Sequence, residues 1–174
     1  MALVANANLL TKVYFPRLIV PASAVIVSLI DFAITLVLFG AVMAYYGVAP
    51  TWHIVALPAF LLLAMLVSFG FGLWFAALNV KYRDFRYVIP FVVQFGLYVS
   101  PVGFSSSLIP EKWRLLYSLN PMVGVIDGFR WCVLPGQTEL DVRAFGLSLA
   151  VGLVVFASAV RYFRSTERSF ADVI

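Results

Sequence analysis

The side chains that most often perform chemistry are few in this 174-residue chain. His53 is its one histidine and Cys132 its one cysteine, so the chain cannot build a metal cluster or a Cys–His pair by itself. A lone cysteine also excludes an internal disulfide framework. No Gly-Lys pair occurs, so the phosphate-binding loop of ATPases is absent. We predict no catalytic residue, no metal and no cofactor in this chain.

Asp31 is the one ionisable residue inside a long apolar stretch. If this stretch crosses a membrane, a charge there costs about 2.5–3.5 kcal/mol on scales of helix insertion into membranes. Asp31 should therefore face a cavity or a partner group. A contact with a coupled ion or a substrate is one interpretation. We prefer a buried carboxylate satisfied by a neighbouring hydroxyl or amide, because no second intramembrane charge is available to relay a proton.

The composition is that of a membrane protein: 63% of the residues are hydrophobic, 11% are charged, and the mean hydropathy is +1.01. Soluble domains have about a quarter charged residues. The net charge is +4, but the basic residues flank apolar stretches, which argues against nucleic-acid binding. The first apolar stretch has no small-residue cleavage site of a secretory signal. The predicted fold class is an all-α integral membrane protein.

Four apolar stretches are long enough to cross a bilayer, which takes about 20 helical residues and at least about 17. The third is the least regular, because Pro90, Gly96 and Pro101 interrupt it. The fourth reaches Phe163 if Arg161 extends its guanidinium into the headgroups. The predicted transmembrane helices cover residues 22–44, 54–78, 88–104 and 144–163.

The positions of Lys and Arg predict the orientation. Eight of the twelve lie in segments that share one side of the four spans, and the four on the other side are balanced by acids. Because basic loops stay in the cytoplasm, both termini are predicted to be cytoplasmic. The eight are Lys12, Arg17, Lys81, Arg83, Arg86, Arg161, Arg164 and Arg168.

Small residues recur at four-residue spacing on the second and fourth spans. Such stripes let helix backbones approach closely in a membrane. Packing within the chain and packing between subunits remain equally open. The stripes are Ala64, Ser68, Gly72 and Ala76, and Ala144, Ser148 and Gly152.

Two cytoplasmic segments carry further patterns. Residues 6–17 predict a short amphipathic helix that ends at Pro16, and it either lies on the membrane or docks a partner. Residues 79–86 carry Lys81, Arg83 and Arg86, which would hold this loop inside by charge alone. Asp84 beside Arg83 also suits contact with another protein.

The outer segment, residues 105–142, is not simply polar. Pro110 begins a predicted helix that reaches Leu119, with Glu111 and Arg114 placed to pair at i,i+3. Asn120 and Pro121 are typical N-cap and first-turn residues of a second helix. Its predicted apolar face is Met122, Val125, Ile126, Phe129 and Cys132 or Val133, its polar face is Asp127 and Arg130, and Pro135-Gly136 ends it.

Two short amphipathic helices with a sharp break between two spans predict a re-entrant hairpin in the outer leaflet. Its non-helical backbone must then be covered by protein or line a wet cavity. An ordinary outer loop with interfacial helices is the alternative.

Three motifs resemble those of permeases of type-two ABC exporters, closest to those that export O-antigen, capsular polysaccharide or teichoic acid. Residues 6–17, NANLLTKVYFPR, resemble the coupling-helix region. Residues 79–84, NVKYRD, resemble the inner loop. The stretch from LNPM at 119–122 through DGFR at 127–130 resembles the outer re-entrant hairpin.

The resemblance implies a homodimer in the bacterial cytoplasmic (inner) membrane, bound to a separate ABC ATPase that carries the ATP and Mg. It implies export of a lipid-linked glycan, such as O-antigen of lipopolysaccharide. The residues it assigns are Leu9, Leu10, Lys12, Val13, Tyr14 and Phe15 for ATPase docking; Lys81, Tyr82, Arg83, Asp84 and Arg86 for the cytoplasmic loop; and Asn120, Pro121, Asp127, Gly128, Arg130 and Trp131 for the hairpin.

The resemblance also implies one permease domain over residues 1–174, with a cytoplasmic tail at 161–174. Permeases of that family have six spans, and the coupling helix follows the second. Because the coupling-like segment starts at residue 6, we expect the chain to be the C-terminal two thirds of such a permease.

Other functions also fit the sequence. A drug-exporting permease of the same superfamily is the nearest alternative, and a non-transporting four-span interaction protein is another. A membrane enzyme fits less well, because Asp31, Asp84 and Asp127 lie at three different predicted depths and cannot share a site.

Overall fold

The computed structural model describes residues 19–49, 51–82, 84–134 and 140–167, and all regular structure in these ranges is helical. Two single-turn 3-10 helices, Trp52–Ala56 and Ser106–Leu108, accompany the α helices. The α helices within the described ranges are α1 (Ile19–Tyr45), α2 (Leu57–Lys81), α3 (Phe85–Val99), α4 (Glu111–Tyr117), α5 (Pro121–Val133) and α6 (Val142–Glu167).

Three of these helices are long and apolar enough to cross a membrane: α1, α2 together with the 3-10 turn before it, and α6. They correspond to the first, second and fourth predicted spans, and each helix has somewhat different ends from the predicted range. At α2, Pro58 lies in the first turn, where its missing N–H costs nothing, and Lys81 lies in the last turn.

The predicted third span has the wrong limits. The helix α3 begins at Phe85 and ends at Val99, whereas the prediction ran from residue 88 to 104. Pro90 lies within α3 without ending it. The helix ends because Ser100 precedes Pro101 and takes an extended conformation, with φ −88° and ψ 149°.

The core of the molecule is a parallel pair of helices, α2 and α6. Near their C-terminal ends Leu73, Ala77 and Val80 of α2 pack against Ala159 and Phe163 of α6. Halfway along, a Cβ at Gly70 would lie 3.1 Å from the Phe156 backbone, so the two helices nearly touch there. Since the late residues of both helices meet, α2 and α6 run in the same direction.

The helix α5 fills the groove between the N-terminal halves of α2 and α6. Cys132 is fully buried against Leu57 and Phe60, and Val125 packs on Leu63 and Val67. A Cβ at Gly128 would overlap the ring of Phe60, so only glycine fits at this contact.

The two stripes of small residues have different surroundings. Ala144, Ser148 and Gly152 are buried, and a Cβ at Gly124 of α5 would lie 2.6 Å from Ser148 Cβ. The α6 stripe therefore serves packing within the chain. On α2, Ser68 is exposed and a Cβ at Gly72 would have no neighbour within 4 Å, so this part of the α2 stripe faces outward.

The helices α1 and α3 lie at the periphery. α3 has no buried residue, and α1 is exposed over most of its length. Asp31 is among the exposed residues of α1. The Thr35 hydroxyl donates to the backbone carbonyl of Asp31 at 2.8 Å rather than to its carboxylate. Whether a neighbouring hydroxyl or amide satisfies the Asp31 carboxylate stays a prediction.

Candidate functional site

The hairpin formed by α4 and α5 reaches into the helix pair instead of lying across its end. The Ser148 hydroxyl donates to the Ser118 carbonyl at 2.9 Å, and Pro121 Cβ lies 3.7 Å from where a Gly152 Cβ would be. Ser148 and Gly152 are six and ten residues beyond Val142, which corresponds to about 9 and 15 Å along the helix. The break between α4 and α5 is therefore at that depth.

The break itself is built as the sequence predicts. Asn120 caps α5, because its side-chain oxygen accepts from the Met122 N–H at 3.0 Å, and Pro121 occupies the first turn. The Asn120 amide also donates to Ser100 Oγ at 3.0 Å. The same residue thus starts α5 and ties it to the end of α3.

Arg130 holds the non-helical backbone that follows α3. Its guanidinium donates to the Phe104 carbonyl at 2.7 Å and to the Val102 carbonyl at 3.1 Å. Its Nη1 also lies 3.8 Å from Asp127 Oδ1, which makes an ion pair without a hydrogen bond. These two carbonyls, which have no helical N–H to accept from, thus find a donor within the chain.

The predicted faces of α5 are correct only in part. Val125 and Cys132 are buried as expected, but Gly124 and Gly128 are buried as well. The reason is that α5 is covered on two sides, by α6 at Gly124 and by Phe60 of α2 at Gly128. The predicted polar face is not open to solvent, since the side chains of Asp127 and Arg130 are each only 22% exposed.

The predicted pairing within α4 is wrong. Arg114 forms its ion pair with Asp141, 4.0 Å away, instead of with Glu111. The other carboxylate oxygen of Asp141 accepts from the Arg143 and Ala144 N–H groups at 3.0 and 3.2 Å. Asp141 therefore caps the start of α6 and joins it to α4.

A polar cavity of about 180 Å³ lies between α4, α5 and the start of α6. Burial raises the pKa of the Asp127 carboxyl, while a hydrogen bond from Ser106 and the charges of Arg130 and Arg114 partly oppose this. Burial, assisted by Asp127, raises the pKa of Tyr117 as well. The polar residues that line the cavity are Ser106, Ser107, Arg114, Ser118, Asp127 and Asp141.

An aromatic stack borders the hairpin at the N-terminal end of α2. The His53 ring lies 4.1 Å from Trp131 and 4.7 Å from Trp52, measured between centroids. Trp52 is 75% exposed, so the stack reaches the surface. His53 is thus part of an aromatic contact, and no group of His, Cys, Asp and Glu that could hold a metal ion occurs among the described residues.

The predicted cytoplasmic loop lies at the opposite end of the bundle. Lys81, Tyr82, Asp84 and Arg86 are exposed, whereas Arg83 is outside the described residues. Lys81 Nζ lies 5.4 Å from the Tyr82 ring centroid. The Arg86 guanidinium lies 4.8 Å from the ring of its neighbour Tyr87 and donates to its hydroxyl at 2.7 Å.

Because α2 and α6 are parallel, Arg161 and Arg164 lie at this same end. The structure therefore groups the basic residues of the loop with those of α6. The predicted ATPase-docking residues Leu9, Leu10, Lys12, Val13, Tyr14 and Phe15 lie outside the described residues.

Comparison with known proteins adds the family. The family model for ABC-2 type transporters matches residues 5–134, three quarters of the chain, including the three motifs and the hairpin. The chain belongs to the ABC-2 type transporter family. Members of this family are membrane subunits of transporters rather than catalysts.

Relatives match over nearly the whole of this ABC-2 family chain. The O-antigen export system permease protein RfbA of Myxococcus xanthus is 29% identical over 96% of the chain and 65% of its own length. A protein of the same name from Klebsiella pneumoniae is 24% identical over 98% of the chain and 66% of its length. The inner membrane transport permease YadH of Escherichia coli K12 is 35% identical over 61% of the chain and 40% of its length. The chain thus spans slightly less than two thirds of the RfbA proteins.

Several residues that position the hairpin were not predicted as site residues from the sequence. Ser100 and Ser118 each join two elements through hydrogen bonds, yet single serines carry no specific signal, and Ser148 was predicted only as a small packing residue. Asp141 was recognisable, because an Asp just before an apolar stretch is a typical helix N-cap. Tyr117 had no signal, since its burial depends on how α4 folds back.

Proposed function

We propose that this chain is the membrane-spanning part of a permease subunit that exports O-antigen-type, lipid-linked polysaccharide across the bacterial cytoplasmic membrane. The observation that carries the proposal is the match to O-antigen export permeases over 96–98% of the chain, together with the family match over residues 5–134. As the resemblance to type-two ABC exporters implies, the energy comes from ATP and Mg bound to a separate ABC ATPase, and two permease copies form the pore.

The parallel arrangement of α2 and α6 supports a fourth span. Two parallel spans require the chain to cross the membrane once more between them. The helix α3 starts where α2 ends, with the Phe75 and Phe85 rings 6.1 Å apart, and finishes at the hairpin, where Ser100 bonds to Asn120. Its fifteen residues cover about 22 Å, and residues 100–105 complete the crossing in non-helical form.

The contacts of the hairpin support its re-entrant position. Its break lies beside Ser148 and Gly152, well inside α6, while Cys132 at the other end of α5 is level with Leu57 at the start of α2. An interfacial helix would instead lie across the ends of α2 and α6. The hairpin therefore covers the outer end of the pore from within the outer leaflet.

The charges support the orientation with both termini in the cytoplasm. Lys81, Arg86, Arg161 and Arg164 share one end of the helix pair, and basic residues favour the cytoplasmic side. The ATPase would bind at this end, and the loop of residues 79–86 and the segment of residues 6–17 are its proposed contacts.

The experiment that tests this proposal is affinity purification of the tagged chain from its native cell in mild detergent, with mass spectrometry. We expect a stoichiometric ATPase of the ABC type. Leu10→Asp or Tyr14→Asp should release it, because each places a charge on the apolar face of the docking segment. Thr11→Asp, on the other face of the same segment, is the matched control and should retain the ATPase.

The exported substrate is tested in the same cells. Deletion of the gene should remove surface O-antigen and leave lipid-linked glycan on the inner face of the membrane. Normal surface glycan combined with drug sensitivity would instead indicate a drug-exporting permease. Recovery of the intact chain without an ATPase would contradict the transporter function altogether.

A further inference from the structure

The polar cavity between α4, α5 and α6 contains buried hydrogen-bonding atoms that have no partner. Asp127 Oδ1 and Arg114 Nε both belong to residues that line it, and neither atom forms a hydrogen bond among the described residues. Each such atom costs about 1–3 kcal/mol when it stays unsatisfied, so these two atoms on lining residues favour a polar occupant.

The arrangement of these atoms defines the chemistry of that occupant. Asp127 offers an acceptor, Arg114 offers donors, and the Ser106 hydroxyl, whose proton goes to Asp127, offers its oxygen as a further acceptor. A ligand hydroxyl is a donor and an acceptor at once, so neighbouring hydroxyls of one molecule satisfy a carboxylate and a guanidinium simultaneously. Val123 and Phe145 line the cavity as well and provide apolar contact for a C–H face. A sugar ring combines these properties.

Other classes of ligand fit less well. An anion would meet the carboxylates of Asp127 and Asp141, and a cation would meet the guanidinium of Arg114. The volume of about 180 Å³ corresponds to roughly six water molecules at about 30 Å³ each, which is the scale of one sugar ring rather than of an oligosaccharide or an acyl chain.

The cavity is also reachable from the end of the bundle where the glycan would leave. Arg114 and Asp141 at its rim are 31% and 39% exposed. Ser107 of the 3-10 turn is exposed as well. A sugar unit could therefore enter without disturbing the core of α2 and α6.

We propose that this cavity binds one sugar unit of the exported glycan through its hydroxyl groups, with Asp127 accepting and Arg114 donating hydrogen bonds. This inference rests on the proposed function and adds a place where the permease contacts its cargo. The cavity belongs to a single protomer, so each copy would carry one such site.

The test uses the full chain in lipid nanodiscs and saturation-transfer NMR with methyl glycosides of mannose, rhamnose and glucose. Tetrahydropyran-2-methanol, a ring that lacks the vicinal hydroxyls, is the reference compound, and empty nanodiscs give the background. We expect transfer to at least one glycoside above both. Asp127→Asn should weaken its binding tenfold or more, whereas Glu111→Gln, an equal charge change at an exposed residue that does not line the cavity, should leave it unchanged.

A second variant covers the case in which Asp127→Asn does not fold. Ser106→Ala lies in the partly exposed 3-10 turn and removes only one hydroxyl, so it should fold and weaken binding severalfold. Transfer to the glycosides no greater than to the reference ring, or binding unaffected by Ser106→Ala, would overturn the inference. If either result is found while export and ATPase binding persist, the proposed function is retained and only the sugar-binding site is rejected.

Discussion

Arg130 illustrates how a single polar side chain can satisfy the carbonyls of an irregular backbone segment. Two carbonyls of the segment after α3, those of Val102 and Phe104, accept hydrogen bonds from its guanidinium. Asp127 at 3.8 Å balances the charge. A buried ion pair contributes little net stability when both partners are present, but loss of one partner is costly. At the residue scale, Asp127 and Arg130 therefore act as a unit.

The raised pKa of Asp127 predicts a dependence of stability on pH. Because the folded state holds the proton more tightly than the unfolded state, the free energy of unfolding should increase as the pH falls through the raised pKa and level off below the ordinary pKa of the group. The measurement is thermal unfolding in detergent at several pH values. Asp127→Asn cannot titrate, so its melting curve should lack this component, and parallel curves for the two proteins would contradict the prediction.

At the scale of elements, α5 is positioned by glycines that allow close packing on two sides. Gly124 faces Ser148 of α6, and Gly128 faces the ring of Phe60 in α2. That ring is itself fixed by edge contacts with Trp131 and Phe145 at 6.5 and 5.3 Å. It has little freedom to move aside, so the fit of α5 depends on the missing side chain.

Gly128→Ala should destabilise the protein by about 1–3 kcal/mol, the usual cost of overpacking a filled core. Gly146→Ala on α6 is the matched control, because a Cβ there meets nothing within 4 Å and alanine favours the helix. Thermal unfolding in detergent compares the two. Equal melting temperatures for both variants would mean that α5 does not pack as closely as described.

The helices could be predicted from the sequence where local signals define them, but the contacts between distant segments could not. The long apolar helices and the Asn120–Pro121 start of α5 follow from local signals, and the structure contains them. The ion-pair partner of Arg114 and the backbone partners of Arg130 could not be predicted, because they lie in segments distant along the chain. The end of α3 was recoverable in principle, since the residue before Pro101 disfavours the helical conformation.

On the scale of the whole molecule, the parallel helices α2 and α6 define two ends of the bundle, and the other elements are grouped at one end or the other. The hairpin lies along their N-terminal halves, and Lys81, Arg161 and Arg164 lie at their C-terminal ends. The helices α1 and α3 present mostly exposed apolar side chains, including Ile30, Val37 and Phe91. Lipid or a second subunit must cover these side chains in the membrane.

Cysteine labelling in intact cells tests this arrangement. Val142→Cys at the start of α6 should react with a membrane-impermeant thiol reagent, and Leu116→Cys should resist it, although both native side chains are exposed on the chain, at 73% and 57%. Asp84→Cys should react only after the cells are permeabilised. The native Cys132 should not interfere, because it is fully buried and burial raises the pKa of its thiol.

Two outcomes would contradict the arrangement. Equal labelling of Leu116→Cys and Val142→Cys would mean an ordinary outer loop in place of a re-entrant hairpin. Labelling of Asp84→Cys in intact cells would mean that the orientation is inverted. Unmodified chain is the control for Cys132 in each case.

The sparse lateral contacts of α3 have a mechanical consequence. The helix is fixed at one end by the bonds from Asn120 and Arg130 to the segment after it, and at the other by the short turn from α2. Along its flank no residue is buried, and Pro90 removes one internal hydrogen bond. Within the chain, α3 is therefore held at its two ends and has fewer contacts along its length to resist sideways displacement than α2 or α6 has.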